Sequence, residues 1–261
     1  MSDLDRNYAS PFGQAGTRDA AAVDAGLRSY MLRIYNYMTI GLAITGFAAL
    51  GVYMGAVTDA SNAVARVGST HLSAFGYYMF ASPLKWVFIA APLVMVFAIS
   101  FGINRLKPAT AQIMFWAFAA LMGVSLSSIF LVYTHTSIVR VFFITAASFG
   151  ALSLYGYTTK RDMTGMGSFL LMGLFGIIIA SIVNIFVASS MLQFIVSVVG
   201  VLIFAGLTAY DTQRLKNDYI YGYASQGGEI AERAAITGAL SLYLNFINLF
   251  TLLLQLLGQK E

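Results

Sequence analysis

Residues 191–216 read MLQFIVSVVGVLIFAGLTAYDTQRLK, and the order of residue types in this stretch decides the fold class. No charged side chain occurs from Met191 to Tyr210, and this run is long enough to cross a bilayer, which takes about 20 mostly apolar residues. An acid, Asp211, follows at once, and the base Arg214 comes one helical turn later. The pattern predicts a transmembrane helix that reaches the membrane surface at its carboxyl end.

The rest of the chain has the same character. Of the 261 residues, 59% are hydrophobic and only 10% are charged, whereas soluble domains carry about 25% charged residues. Seven runs are long enough to span a membrane, at residues 34–57, 86–103, 111–133, 138–158, 168–188, 191–210 and 236–258. We therefore expect an all-α integral membrane protein, a seven-transmembrane-helix bundle over residues 31–261, preceded by a flexible cytoplasmic tail over residues 1–30.

Composition also excludes several classes of protein. The chain has no cysteine and two histidines, so disulfides and zinc sites built on Cys or His are not expected. Its basic residues lie between apolar runs and form no dense patch, which argues against nucleic-acid binding. An intramembrane aspartyl protease needs two membrane acids, and Asp211 is the only carboxylate at a span. We predict a protein with no catalytic residues, no cofactor and no bound metal.

Orientation follows from the positions of Lys and Arg, which concentrate in cytoplasmic segments. Eleven lie in the tail and in alternate connections on the same side, whereas Arg66, Lys85 and Lys260 lie on the other side and Arg140 lies just inside a helix there. The amino terminus is predicted to be cytoplasmic, and seven spans then place the carboxyl terminus outside.

Asp211 is the first candidate functional residue. Ionisable groups are expensive inside a bilayer and often functional, and an acid is not what the positive-inside pattern places on this side. One interpretation is an interfacial ion pair with Arg214, its i+3 neighbour. The other is a carboxylate that faces the bundle interior.

The last span carries a polar stripe. At about 100° per residue its polar side chains fall on one arc of roughly 120°, which cannot face lipid cheaply. The members are Ser241, Asn245, Asn248, Thr251 and Gln255. The stripe predicts either an interhelical hydrogen-bond seam or the wall of a wet pathway, and Asn184 is a further candidate for this polar interior. The Gly51–Gly55 stretch GVYMG is a weaker signal, for close helix packing.

Two motifs resemble a known family. GLTAYDTQRLK (206–216) and ALSLYLNFINLFTLLLQLLG (239–258) closely resemble the bacterial branch of the Bax inhibitor 1, or transmembrane Bax inhibitor motif, family; DAGLRSYMLRIYNYM (24–38) and SFGINRL (100–106) are similar too. The resemblance implies a bundle with a central last helix that acts as a pH-sensitive calcium leak in the bacterial inner membrane.

The resemblance also implies roles for individual residues. In the family an acid on the sixth span and an acid on the seventh sense protons, and an arginine at the end of the second span latches onto the first acid. Asp211 matches the sixth-span acid and Arg105 matches the arginine. The seventh-span acid falls at position 245, where this chain has Asn245. We therefore expect any leak to respond to pH only at more acidic values, or hardly at all.

Two functions remain open at this point. The first is a leak in the lipid bilayer with the calcium ion as its permeant species. The alternative is a membrane-embedded regulator that binds and restrains membrane-anchored ATP-dependent proteases, which tolerates Asn245.

Overall fold

Long helices make up most of the protein. The structure is a computed structural model that describes residues 11–102, 106–223 and 228–260. The α-helices in these ranges are α1 (Pro11–Ala56), α2 (Ala74–Gly76), α3 (Lys85–Gly102), α4 (Pro108–Leu126), α5 (His135–Thr158), α6 (Thr164–Val187), α7 (Ser190–Tyr221) and α8 (Gly228–Leu257). All except α2 are long and apolar enough to cross a membrane. The seven predicted spans are confirmed, and the sixth and seventh are α7 and α8.

The first connection contains small elements that the sequence did not predict. Strands β1 (Ala65–Val67) and β2 (Thr70–Leu72) form an antiparallel hairpin, and Gly68 turns it with a positive φ of 59°. A 3₁₀ turn (Ala60–Asn62) precedes the hairpin, a π-helical turn (Tyr77–Ala81) follows α2, and a second 3₁₀ turn (Ser127–Leu131) extends α4. The Ser73 hydroxyl donates to the Gly55 carbonyl at 2.9 Å, which ties this connection to the end of α1.

Helix α8 is the centre of the bundle. Half of its most apolar segment is buried, against at most a third for the other spans, and α8 packs against α1, α4, α5 and α7. Tyr243 is fully buried, and its hydroxyl lies 2.6 Å from the Thr45 hydroxyl of α1. The rings of Phe115 and Phe118 from α4 meet Tyr243 edge-on. The central last helix is thus confirmed.

Two glycines allow helices to touch backbone to backbone. A Cβ at Gly156 of α5 would collide with the Ala209 carbonyl of α7, and a Cβ at Gly123 of α4 would collide with the Thr45 carbonyl of α1. Gly51, from the GVYMG stretch, has no heavy atom near its Cβ position among the described residues, and Gly55 meets only the Phe75 ring. The close helix packing predicted at GVYMG is therefore not found among the described residues, and Gly123 and Gly156 provide the close contacts instead.

The basic segments lie together at one end of the bundle, called the basic end below. The Lys216 ammonium donates to the Tyr157 carbonyl at 2.8 Å, and the Gln213 amide donates to the Arg161 carbonyl at 2.8 Å. At the opposite end, the backbone of Tyr133 pairs with Lys260. Since α8 starts near the basic end and finishes at the other, it crosses the whole bundle.

Helices α1 and α7 extend beyond the apolar runs, since α1 starts at Pro11 and α7 ends at Tyr221. Leu27 and Tyr30 are buried in the core, so packing begins before the predicted boundary at residue 31, and α1 itself starts at Pro11. Helix α1 can start before the apolar run because an amphipathic helix continues into water once its inner face has partners. Residues 1–10 lie outside the described residues, and the flexibility and location of the tail remain predictions.

Candidate functional site

Asp211 is a buried carboxylate with three hydrogen-bond donors. It is 5% exposed, and its Oδ2 accepts from Asn245 Nδ2 at 2.7 Å and from Ser241 Oγ at 2.9 Å. Its Oδ1 lies 2.9 Å from Arg214 Nη2. Donors of this kind stabilise an ionised carboxylate, and a buried charge needs such partners. The site therefore places a carboxylate, with its partners, where α7 meets α8.

Helix geometry explains why these four residues meet. Arg214 follows Asp211 by three positions on α7, and Ser241 and Asn245 are four positions apart on α8, so each pair shares one helix face. Because α7 continues to Tyr221, Asp211 lies well inside the helix rather than at its end. The backbone around the acid is consequently rigid, and the side chains are positioned by helix packing.

A cavity of about 650 Å³, called the membrane cavity below, extends from this carboxylate between α6, α7 and α8. The α6 wall is largely apolar, with Leu174, Ile178 and Ile182 among its members, whereas α8 contributes the polar wall. The whole predicted stripe lines it, namely Ser241, Asn245, Asn248, Thr251 and Gln255. The stripe therefore borders a cavity and is not packed against other helices along its whole length.

Hydrogen bonds divide the stripe into two ends and a middle. At one end Ser241 and Asn245 bond to Asp211, and at the other Gln255 Oε1 accepts from the Ser197 hydroxyl of α7 at 2.9 Å. In the middle, Asn248 donates to the Leu244 carbonyl at 2.8 Å, within α8 itself. The middle of the stripe therefore bonds within its own helix, and Asn248 and Thr251 line the cavity.

A second cavity of about 600 Å³, called the vestibule below, lies between α1, α7 and α8 at the basic end. Tyr30, Asp218, Tyr223 and Arg233 are among its lining residues. Arg214 lines both the vestibule and the membrane cavity. The ion pair between Arg214 and Asp211 thus lies at the boundary between the two spaces.

Two further predicted residues, Arg105 and Asn184, are not among the described residues that contact Asp211 or line the membrane cavity. Arg105, the residue matched to the latch, lies outside the described residues, so its distance from Asp211 stays untested. Asn184 lies at the end of α6, where its side-chain oxygen accepts from the Ser189 amide at 3.0 Å. Its amide therefore caps a helix end, and Asn184 is not among the residues that line the membrane cavity.

Sequence reasoning missed two residues that surround Arg214. The Tyr210 ring lies 5.7 Å from the Arg214 guanidinium carbon and lines the membrane cavity, and Asp218 lines the vestibule one turn beyond Arg214. Both resemble ordinary residues of a membrane interface. The available signal was the spacing, since Asp211, Arg214 and Asp218 follow one another at i, i+3 and i+7.

Comparisons with known proteins agree with this architecture. The family model described as "Inhibitor of apoptosis-promoting Bax1" matches residues 27–261. A protein of Caulobacter vibrioides is 45% identical over 260 residues, covering 99% of this chain and 98% of that protein. The inner membrane protein YbhL of Escherichia coli is 41% identical over 247 residues, covering 91% of this chain and 94% of YbhL.

Proposed function

Since the chain belongs to the Bax inhibitor 1 family of integral membrane proteins, we propose that it is a cation leak whose pathway is the membrane cavity, with calcium as the permeant ion. The observation that carries the proposal is the position of Asp211. A buried carboxylate at one end of a cavity with one polar wall supplies the negative charge that draws a cation into an apolar bundle.

The chemistry of the polar wall suits a hard cation. Calcium prefers oxygen ligands from carboxylates, amide carbonyls and hydroxyls, and the wall offers Asp211, Asn248 and Thr251. From Asn245 to Gln255 the stripe covers eleven residues, and the ten steps between its ends span about 15 Å of helix at the usual rise. Conduction requires that the cation bind favourably but weakly enough to leave. A single acid meets this requirement better than a cluster of acids, and Asp211 is the only acid among the described residues that line the cavity.

We expect the leak to respond weakly to pH. Two neighbouring carboxylates resist being ionised together and hold one proton between them, which makes such a pair a sensor. Asn245 instead donates a hydrogen bond to Asp211 at 2.7 Å and carries no acidic proton of its own. The two acids that would share a proton are therefore reduced to one.

The test is calcium entry into proteoliposomes that contain the purified chain. We expect the native protein to admit calcium and Asp211→Asn to admit several-fold less, because the carboxylate in the cavity wall becomes neutral. Asp162→Asn is the matched control, since it makes the same change at an exposed acid in the connection between α5 and α6. No calcium entry with the native protein would contradict the proposal, and co-purification with membrane-anchored ATP-dependent proteases would then support the regulator function.

A further inference from the structure

Arg214 is the only residue found in the walls of both cavities among the described residues. Its guanidinium bonds to Asp211 at 2.9 Å and lies beside the Tyr210 ring. Yet this side chain is 43% exposed, whereas that of Asp211 is 7% exposed. Arg214 is thus held by a buried carboxylate at its tip, while much of its side chain, which also lines the vestibule, is accessible.

A second carboxylate is available on that side. Asp218 follows Arg214 by four positions, the spacing at which helix side chains meet, and it lines the vestibule together with Arg214. The Arg214 charge acts electrostatically on Asp218. The two acids are seven residues apart, about 10 Å along α7, and the arginine lies between them.

We propose that Arg214 is a two-position gate. Paired with Asp211 it separates the vestibule from the membrane cavity, and paired with Asp218 it leaves the two cavities connected and Asp211 free to bind a cation. The identity of the cation rests on the proposed function, but the gate itself follows from the positions of the three charged residues and the two cavities.

The physical environment explains which position the structure shows. Ion pairs are stronger where water is excluded, and Asp211 is buried whereas Asp218 is exposed. The closed position is therefore favoured at rest. A cation that reaches Asp211 from the membrane cavity competes with the guanidinium for the same carboxylate, and Asp218 receives the displaced arginine.

Thiol accessibility tests the gate without requiring ion flow. The chain has no cysteine, so Thr251→Cys places a single thiol in the wall of the membrane cavity. The measured quantity is its rate of reaction with a charged, membrane-impermeant methanethiosulfonate reagent added at the basic end, in oriented vesicles. The second substitutions are Arg214→Gln, Arg214→Lys and Asp218→Asn, with Arg161→Gln as the control that removes an exposed base at the same end.

The gate predicts changes of opposite sign for two neighbouring residues. Arg214→Gln should raise the rate of thiol modification by about tenfold, because losing one hydrogen bond to a charged group usually changes an equilibrium by about that factor. Arg214→Lys should give a smaller increase. Asp218→Asn should lower the rate, because the open position loses its partner, and Arg161→Gln should leave it unchanged.

Other outcomes overturn the gate. Equal rates of thiol modification for Arg214→Gln and Arg161→Gln would contradict it, and so would a faster rate for Asp218→Asn. Because Asp218 is exposed, its substitution keeps the test valid if the Arg214 variants unfold. Gate-dependent thiol access in a protein that admits no calcium would reject the proposed function and leave the gate standing.

Discussion

At the scale of single residues, the side-chain amide at position 245 decides how the charge of Asp211 behaves. Asn245 and Asp211 are in hydrogen-bond contact at 2.7 Å, so a carboxylate at position 245 would lie directly against another. Two carboxylates at that distance share a proton, whereas an amide donates one of its own. One side-chain atom at position 245 thereby decides whether the site has one carboxylate or two.

The prediction at this scale concerns Asn245→Asp. We expect calcium entry to become strongly dependent on pH between about 5 and 8, where a coupled carboxylate pair titrates. The variant should also unfold more readily, by about 1–3 kcal/mol, because a donor to a buried carboxylate is lost. Asn248→Asp is the control, since it adds the same acid to the same cavity wall without a hydrogen bond to Asp211. Equal pH profiles for native protein and Asn245→Asp would exclude position 245 from the sensor.

At the scale of helices, the contact between α5 and α7 holds the acid-bearing helix in place. Gly156 lies against the Ala209 carbonyl, two residues before Asp211, and no Cβ fits there without a shift of backbone. We expect Gly156→Ala to destabilise the protein by about 1–3 kcal/mol, as overpacking does. Gly150→Ala, on the same helix with open space around it, should be neutral or slightly stabilising. Thermal unfolding in detergent compares the two, and equal midpoints would contradict this account of the contact.

Hydropathy predicts the number of helices but not their full length. It reports the part of a helix that lipid can surround, so the predicted sixth span ends at residue 210 while α7 continues to Tyr221. Asp211 and the stripe were found because polar groups in apolar runs are conspicuous. Asp218 was missed because it lies beyond the apolar run, where an acid is ordinary, and only packing shows that it shares a cavity with Arg214.

At the scale of the whole molecule, the two ends of the bundle differ in charge. Arg161, Lys216 and Tyr30 of α1 lie at the basic end, and Lys260 lies at the other end beside Tyr133. The positive-inside rule then predicts a cytoplasmic basic end and an external carboxyl terminus. Alkaline phosphatase fused after residue 261 should be active, because this reporter folds only outside the cytoplasm. Inactive alkaline phosphatase at that position, together with fluorescence from a cytoplasmic reporter fused at the same position, would show that the orientation is the opposite one.

The central claim is that cations pass through the membrane cavity, and the most direct measurement is block of calcium entry at Thr251→Cys. The native chain has no cysteine, so a bulky thiol reagent should leave its calcium entry unchanged. In Thr251→Cys the same reagent should abolish most of the entry, because the adduct fills the cavity beside the polar stripe. Calcium entry that persists after complete modification of the thiol would show that the ions take another route.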